Sequence, residues 1–236
     1  MNAAPRTLIY SPDRRLFFGA AIAILLVVFA GFARTYFLKG LFGTPALPWL
    51  VQLHGAVMTS WFLLFFAQAS LISNHRADLH RRLGGVGAVL AAVMVVLGLV
   101  VVLHAAAREV HAHTKDAPFF LMLLAVDPFI LLVFAGLVAS AIVMRRRGDV
   151  HKRLMLLATL DLTAVAIGRL PFPNLALFWL AFGLWLFLPA AIDTVCNRRL
   201  HPVFGWGAPA ILVSSILVWI LASTPTWQRI AQQYVS

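Results

Sequence analysis

The sequence predicts an all-α protein: a polytopic membrane helix bundle of seven transmembrane helices, one lone helix followed by three hairpin repeats. Three observations predict it. The first is composition, with 62% of 236 residues hydrophobic, 11% charged and a mean hydropathy of +0.91. A soluble core of this length could not hide so much apolar surface. The second is a series of apolar runs, at about 16–38, 49–72, 83–105, 118–144, 154–170, 174–196 and 203–223, mostly near or above the span length of about eighteen residues. The third is a motif written twice between apolar runs, "RADLHRRLGG" at 76–85 and "RGDVHKRLML" at 147–156. The chain 1–236 reads as a single integral membrane domain.

The first run carries a basic flank and a small-x-small triplet, Gly31-Phe32-Ala33, as a signal peptide would. Its apolar core is longer than a signal-peptide core, which favours an uncleaved anchor. The fifth run is interrupted by Asp161 and Arg169 and is the weakest of the seven. Orientation follows the Lys/Arg bias. The N-terminus and the connectors after spans two, four and six hold Arg6, Arg14, Arg15, Arg76, Arg81, Arg82, Arg145, Arg146, Arg147, Lys152, Arg153, Arg198 and Arg199, thirteen in all. The other side holds six: Arg34, Lys39, Arg108, Lys115, Arg169 and Arg229. The expectation is a multi-pass protein of the bacterial inner membrane, N-terminus cytoplasmic and C-terminus periplasmic.

A net charge of +11 and a pI near 11.4 would suit a nucleic-acid binder in a soluble protein. Here the basic residues sit in short connectors, so the lipid bilayer is the expected partner and nucleic acid is not. A homo-oligomer or a membrane complex would be compatible with the pattern. Cys196 is the only cysteine, which excludes an intramolecular disulfide and a Cys-rich metal site.

Spans two, four and six each open on proline and aromatics, "LPWLV", "APFFL" and "PFPNL", and each leads to a basic connector with histidine. The separations are 32 (Pro48–His80), 33 (Pro118–His151) and 30 (Pro171–His201) residues. Parallel repeats of this kind occur in membrane transport proteins. The third copy, "DTVCNRRLHPVFGWG", has its Asp193 and arginines ahead of His201, and His75 has no counterpart. Asp78 and Asp149 are placed to cap the following helices. Arg81, Arg82, Lys152 and Arg153 are placed to anchor at headgroup depth. A sharper reading brings His80, His151 and His201 to one cytoplasmic vestibule, where three imidazoles would bind a metal or relay protons.

Ionisable groups at membrane depth are expensive without a partner. At 1.5 Å per residue, His54 lies roughly 9 Å and Asp127 roughly 13 Å in from the outer ends of their spans, with Arg169 near the outer end of the fifth. Pro128 leaves the Leu124 carbonyl without its helical donor, so a kink beside Asp127 is expected. His54, Met58, Trp61, Phe65 and Gln68 share one stripe that would edge a solute path or form an ordinary buried face. Asp161 shares another with Ala158, Ala164 and Gly168, where small residues imply close helix contact. It would be either a structural hydrogen-bond partner or a protonatable carboxyl in a path. His104, His111 and His113 sit at the outer end of span three; "HAH" is a weak metal signal.

Three classes of function follow. Small-solute or proton transport suits the buried polar site of His54, Asp127, Asp161, Arg169 and Gln68. A membrane redox protein would hold haem b between facing histidines, His54 with His104 or a pair from His80, His151 and His201. An assembly subunit would use the buried charges only to pin helices. No catalytic residue is assigned, since the chain has no Walker loop, nucleophile elbow or H-E-x-x-H helix. The segments "LHGAVMTSWFLLFFAQASLI", "LHRRLGGVGAVLA" and "HKRLMLLAT", about 40 residues, resemble a group of uncharacterised bacterial inner-membrane proteins. That resemblance implies a multi-helix bundle and no particular activity.

Overall fold

Each apolar run is helical in the computed structural model, which describes residues 12–235, and the described residues contain no strand. The first six runs correspond in order to α1 (Pro12–Phe32), α2 (Trp49–Ser73), α3 (Ala77–His111), α4 (Ala117–Val143), the pair α5 (Gly148–Leu162) and α6 (Ala164–Ile167), and α7 (Leu175–Asn197). The seventh run is α8 (Pro202–Ala222), and α9 (Pro225–Val235) follows it. Arg6, counted with the cytoplasmic charges, lies outside the described residues. Six helices, α1, α2, α3, α4, α7 and α8, are long and apolar enough to cross a membrane. Their outward faces carry large exposed apolar side chains such as Leu26, Val96, Leu132, Leu184 and Leu217. Only a lipid bilayer covers such a surface without a protein partner.

The fifth run differs from its expected form. It makes a 15-residue helix and a four-residue one, α5 and α6, so it is not one of the six long spans. The chain tightens at Thr163, where the backbone N–H (3.0 Å) and the hydroxyl both donate to the Leu160 carbonyl. Burial is what sets this segment apart. Leu156 to Thr163 are all buried, eight consecutive residues with no exposed face. A helix buried all round must be surrounded, and the packing shows by what. α1 packs on α2, α2 on α3, α3 on α4, α4 on α8, α8 on α7 and α7 on α1, closing a ring. α5 lies against α4, α7 and α8 within it, and α6 against α1 and α7. The approach of α1 to α6 requires Gly31, since a Cβ there would overlap the Ala166 carbonyl.

Arg14 donates to His75 (2.8 Å), the His80 and His151 rings touch, and His201 Nε2 lies 3.4 Å from Asp149. These contacts gather the connectors 74–76, 144–147 and 198–201 at one end, the basic end. The first two are built alike. Arg76 and Arg147 are the N-caps of α3 and α5, Asp78 and Asp149 are second residues of their helices, and His80 and His151 are fourth. Neither aspartate is the N-cap residue itself, contrary to expectation. From the first turn each still complements the helix dipole. His201 is itself the N-cap of α8, accepting from the Val203 N–H at 3.2 Å.

At the far end, α9 packs on α3 and α4, a helix that the span reading, ending at 223, does not contain. Trp227 Nε1 donates to the Leu121 carbonyl (2.7 Å), and Ala231 and Val235 are buried beneath it. Helix α4 runs through Pro128 without interruption, so proline removes one hydrogen bond here without ending the helix.

Candidate functional site

The far half of the bundle is hollow. One cavity of about 390 Å³ lies between the π-helical turn Ala33–Phe37 and helices α2, α3 and α4. A second, of about 560 Å³, lies between α4, α7 and α8. They share a wall of Leu123, Asp127, Ile130, Val165 and Arg169. His54 lines the first cavity with Met58, Thr59 and Gly98, and Trp179, Ser215 and Trp219 line the second. Three of the residues singled out by depth, His54, Asp127 and Arg169, therefore meet in one chamber. His54 lies near the start of α2, Asp127 further along α4 from the same end, and Arg169 just beyond α6.

The polar groups here are poorly satisfied by protein. His54 Nδ1 is buried and has no hydrogen-bond partner. Arg169 donates one hydrogen bond, to the Val165 carbonyl at 3.1 Å, and its guanidinium carbon stands 4.4 Å from the Phe32 ring centroid. Among the described residues no ion pair joins Arg169 to Asp127, although its charge acts on both Asp127 and His54. Thr59 and Tyr36 bond backbone carbonyls of α2, Gly55 (2.7 Å) and Gln52 (3.0 Å). The chamber thus offers an unpaired guanidinium, an unpaired carboxylate and an imidazole against a mostly apolar wall. Such a wall with a few convergent polar groups is the usual form of a small-molecule site.

Trp61, which follows Met58 and Thr59 along α2 toward the basic end, lines neither cavity. It is buried, stacks edge-on to Phe134 (4.8 Å between centroids) and points its N–H at Thr159 Oγ1 (3.4 Å). The α2 stripe is thereby divided. His54 and Met58 belong to the chamber, Trp61 to the core, and Gln68 to the basic end.

At that end Gln68 Nε2 reaches the His80 carbonyl (3.3 Å), while Gln68 Oε1 and His80 Nδ1 are buried without partners. The His80 and His151 rings stand 6.2 Å apart, edge to face, and His151 Nδ1 lies 2.8 Å from the Ala141 carbonyl. A carbonyl only accepts, so His151 Nδ1 carries a proton. His201 is not in this cluster; its Nε2 faces Asp149 instead. Among the described residues no group of three or more His, Cys, Asp or Glu side chains is arranged to hold a metal ion. The three-imidazole metal site expected from the connectors is reduced to a two-imidazole contact, because His201 is taken up as a helix cap. His104 is exposed and lines the first cavity together with His54.

Two buried acids contrast. Asp193 takes two hydrogen bonds from Arg153, at 2.6 and 3.1 Å, with both side chains almost fully buried. Arg153 also donates to the Asp149 carbonyl (2.8 Å). This ion pair was not foreseen: the Arg153 side chain is buried in protein against Asp193. The available signal was Asp193 itself, an acid inside the apolar stretch "PAAIDTV" that needs a cation. Asp161 is fully buried, yet neither carboxylate oxygen has a hydrogen-bond partner. It lines neither cavity, and Arg169 forms no ion pair with it.

No family model, curated protein or solved structure matches the chain.

Proposed function

We propose that the protein is a small carrier of the bacterial inner membrane that takes a solute, or a proton with it, into the far chamber. In this reading α5 and α6 form a seventh crossing at the centre of the ring. Two contacts support that. His151 meets the last turns of α4, and Arg169, just beyond α6, shares a wall with the first turns of α4. The 20 residues 148–167 would span roughly 30 Å, the thickness of a hydrocarbon core. The basic end is cytoplasmic, which puts the chamber on the periplasmic side, with Trp61 and Phe134 as its inner closure. The likeness of the 76–80 and 147–151 connectors supports a repeat of hairpins, the third altered where His201 caps α8.

One observation carries the reading: Asp127 and Arg169 line both cavities without pairing with each other. Opposite charges inside a bundle that serve only structure pair directly, as Arg153 and Asp193 do, because an unpaired charge in a low-dielectric setting is costly. The test is charge displacement across proteoliposomes on a solid-supported membrane, challenged in turn with small carboxylates, amines and neutral solutes. The wild-type protein should give a solute-dependent current that Asp127→Ala and Arg169→Ala each lose while remaining monodisperse. Undiminished currents in both variants would remove the site.

A redox protein holding haem b is the second reading, favoured by His54 and His104 lining the same cavity. The absorption spectrum of the purified protein decides it: a Soret band that His54→Ala abolishes supports haem, and a featureless visible spectrum opposes it.

A further inference from the structure

We infer that the chamber is built for an amphipathic zwitterion, an oxyanion and an ammonium carried on one apolar body. The inference rests on the reading of the chamber as the site of solute handling and names the class of solute.

Arg169 supplies the first half of the argument. A guanidinium has five N–H donors in a planar fork. Here one reaches the Val165 carbonyl, and the Phe32 ring covers a face. The remaining edge borders the chamber, and Arg169 is an exposed residue although it lies among apolar neighbours. A planar fork with its face occupied and its edge free fits a carboxylate or phosphate.

Asp127 supplies the second half. It borders the same two cavities and has no ion pair or hydrogen bond among the described residues. The other cation on the wall, Arg108, is already held by Glu109, with Nη2 2.6 Å from Oε1. The free charges are therefore one cation and one anion that do not touch. A monoanion would answer Arg169 and be repelled by Asp127; a monocation would do the reverse. A zwitterion answers both and leaves the site neutral, which suits a low-dielectric chamber. Its apolar part would lie against Met58, Phe62, Leu131 and Val102, where the wall has no unsatisfied polar group. Two sources share this chemistry: an apolar α-amino acid and an aminophospholipid headgroup.

The test is competition binding to the full chain in phosphatidylglycerol nanodiscs, against empty discs. Radiolabelled L-phenylalanine is the probe, competed with 3-phenylpropionate, 2-phenylethylamine, 3-phenylpropanol and dihexanoyl phosphatidylethanolamine. The expected result is displacement by the zwitterions at concentrations at least tenfold lower than by either half-molecule. Arg169→Gln should weaken phenylalanine at least tenfold without weakening phenylethylamine, and Asp127→Asn should show the mirror pattern with phenylpropionate. Radiolabelled dihexanoyl phosphatidylethanolamine is the second probe: if it binds and phenylalanine does not, the same chemistry is confirmed with a lipid as its source. Equal binding of zwitterion, half-molecules and alcohol would overturn the zwitterion while leaving a solute chamber. No binding of any compound would overturn both.

Discussion

Asp161 and Asp193 are both fully buried carboxylates, and only Asp193 has partners. The physical consequences are opposite. Removing one member of a buried, doubly hydrogen-bonded pair strands the other, at a cost of about 3–5 kcal/mol. Asp193→Ala should therefore lower the thermal midpoint sharply in detergent, followed by tryptophan fluorescence. The double variant Arg153→Met/Asp193→Leu should recover most of the loss. If Asp193→Ala melts with the wild type, the pair contributes nothing to stability. An unpartnered buried polar group costs about 1–3 kcal/mol by itself, so Asp161→Leu should raise the midpoint and Asp161→Asn should not. A fall on Asp161→Leu would mean that the carboxyl is structurally bonded. At this scale His54, Asp127 and Arg169 were legible, because a polar residue in an apolar run is conspicuous and its depth follows from counting. The Arg153–Asp193 pair was not. Both residues sit near connectors rich in basic groups, and nothing in a linear pattern says which cation turns inward.

The elements were legible to the extent that they are apolar and long. α2, α4, α7 and α8 match their expected runs to within a residue at each end, α3 extends beyond its run at both ends, and α1 gives way to the π-helical turn before its run ends. α5 and α6 were read as one continuous span because the chain there is apolar enough, and the tightening at Thr163 leaves no proline or glycine to mark it. α9 was missed because its signal is spacing rather than hydropathy: Trp227, Ala231 and Val235, four apart, form one stripe. The contact of α1 with α6 is the element-scale feature most open to test. Gly31→Ala would press a methyl group into the Ala166 backbone, and overpacking of this kind costs about 1–3 kcal/mol. Gly19, with open space beside its α-carbon, should accept alanine without loss. The difference in melting temperature between the two variants checks the packing; equal values would contradict it.

At the scale of the molecule, a ring of six helices encloses a core helix that carries polar residues, Arg153, Thr159, Asp161 and Thr163, along its buried length. A soluble protein would place such residues outside; here the exterior is apolar and the interior holds the polar groups. The chamber occupies the far half of this interior, and the buried Trp61–Phe134 contact lies between it and the imidazole pair at the basic end. The central claim is that the chamber is wet and reached from the periplasm. The most direct measurement replaces Cys196 with serine, places a single cysteine at Met58 inside the chamber, and adds a membrane-impermeant charged thiol reagent. Labelling of Met58→Cys in intact spheroplasts, much slower in inside-out vesicles, is the predicted result. Labelling only in inside-out vesicles, or from neither side, would contradict it.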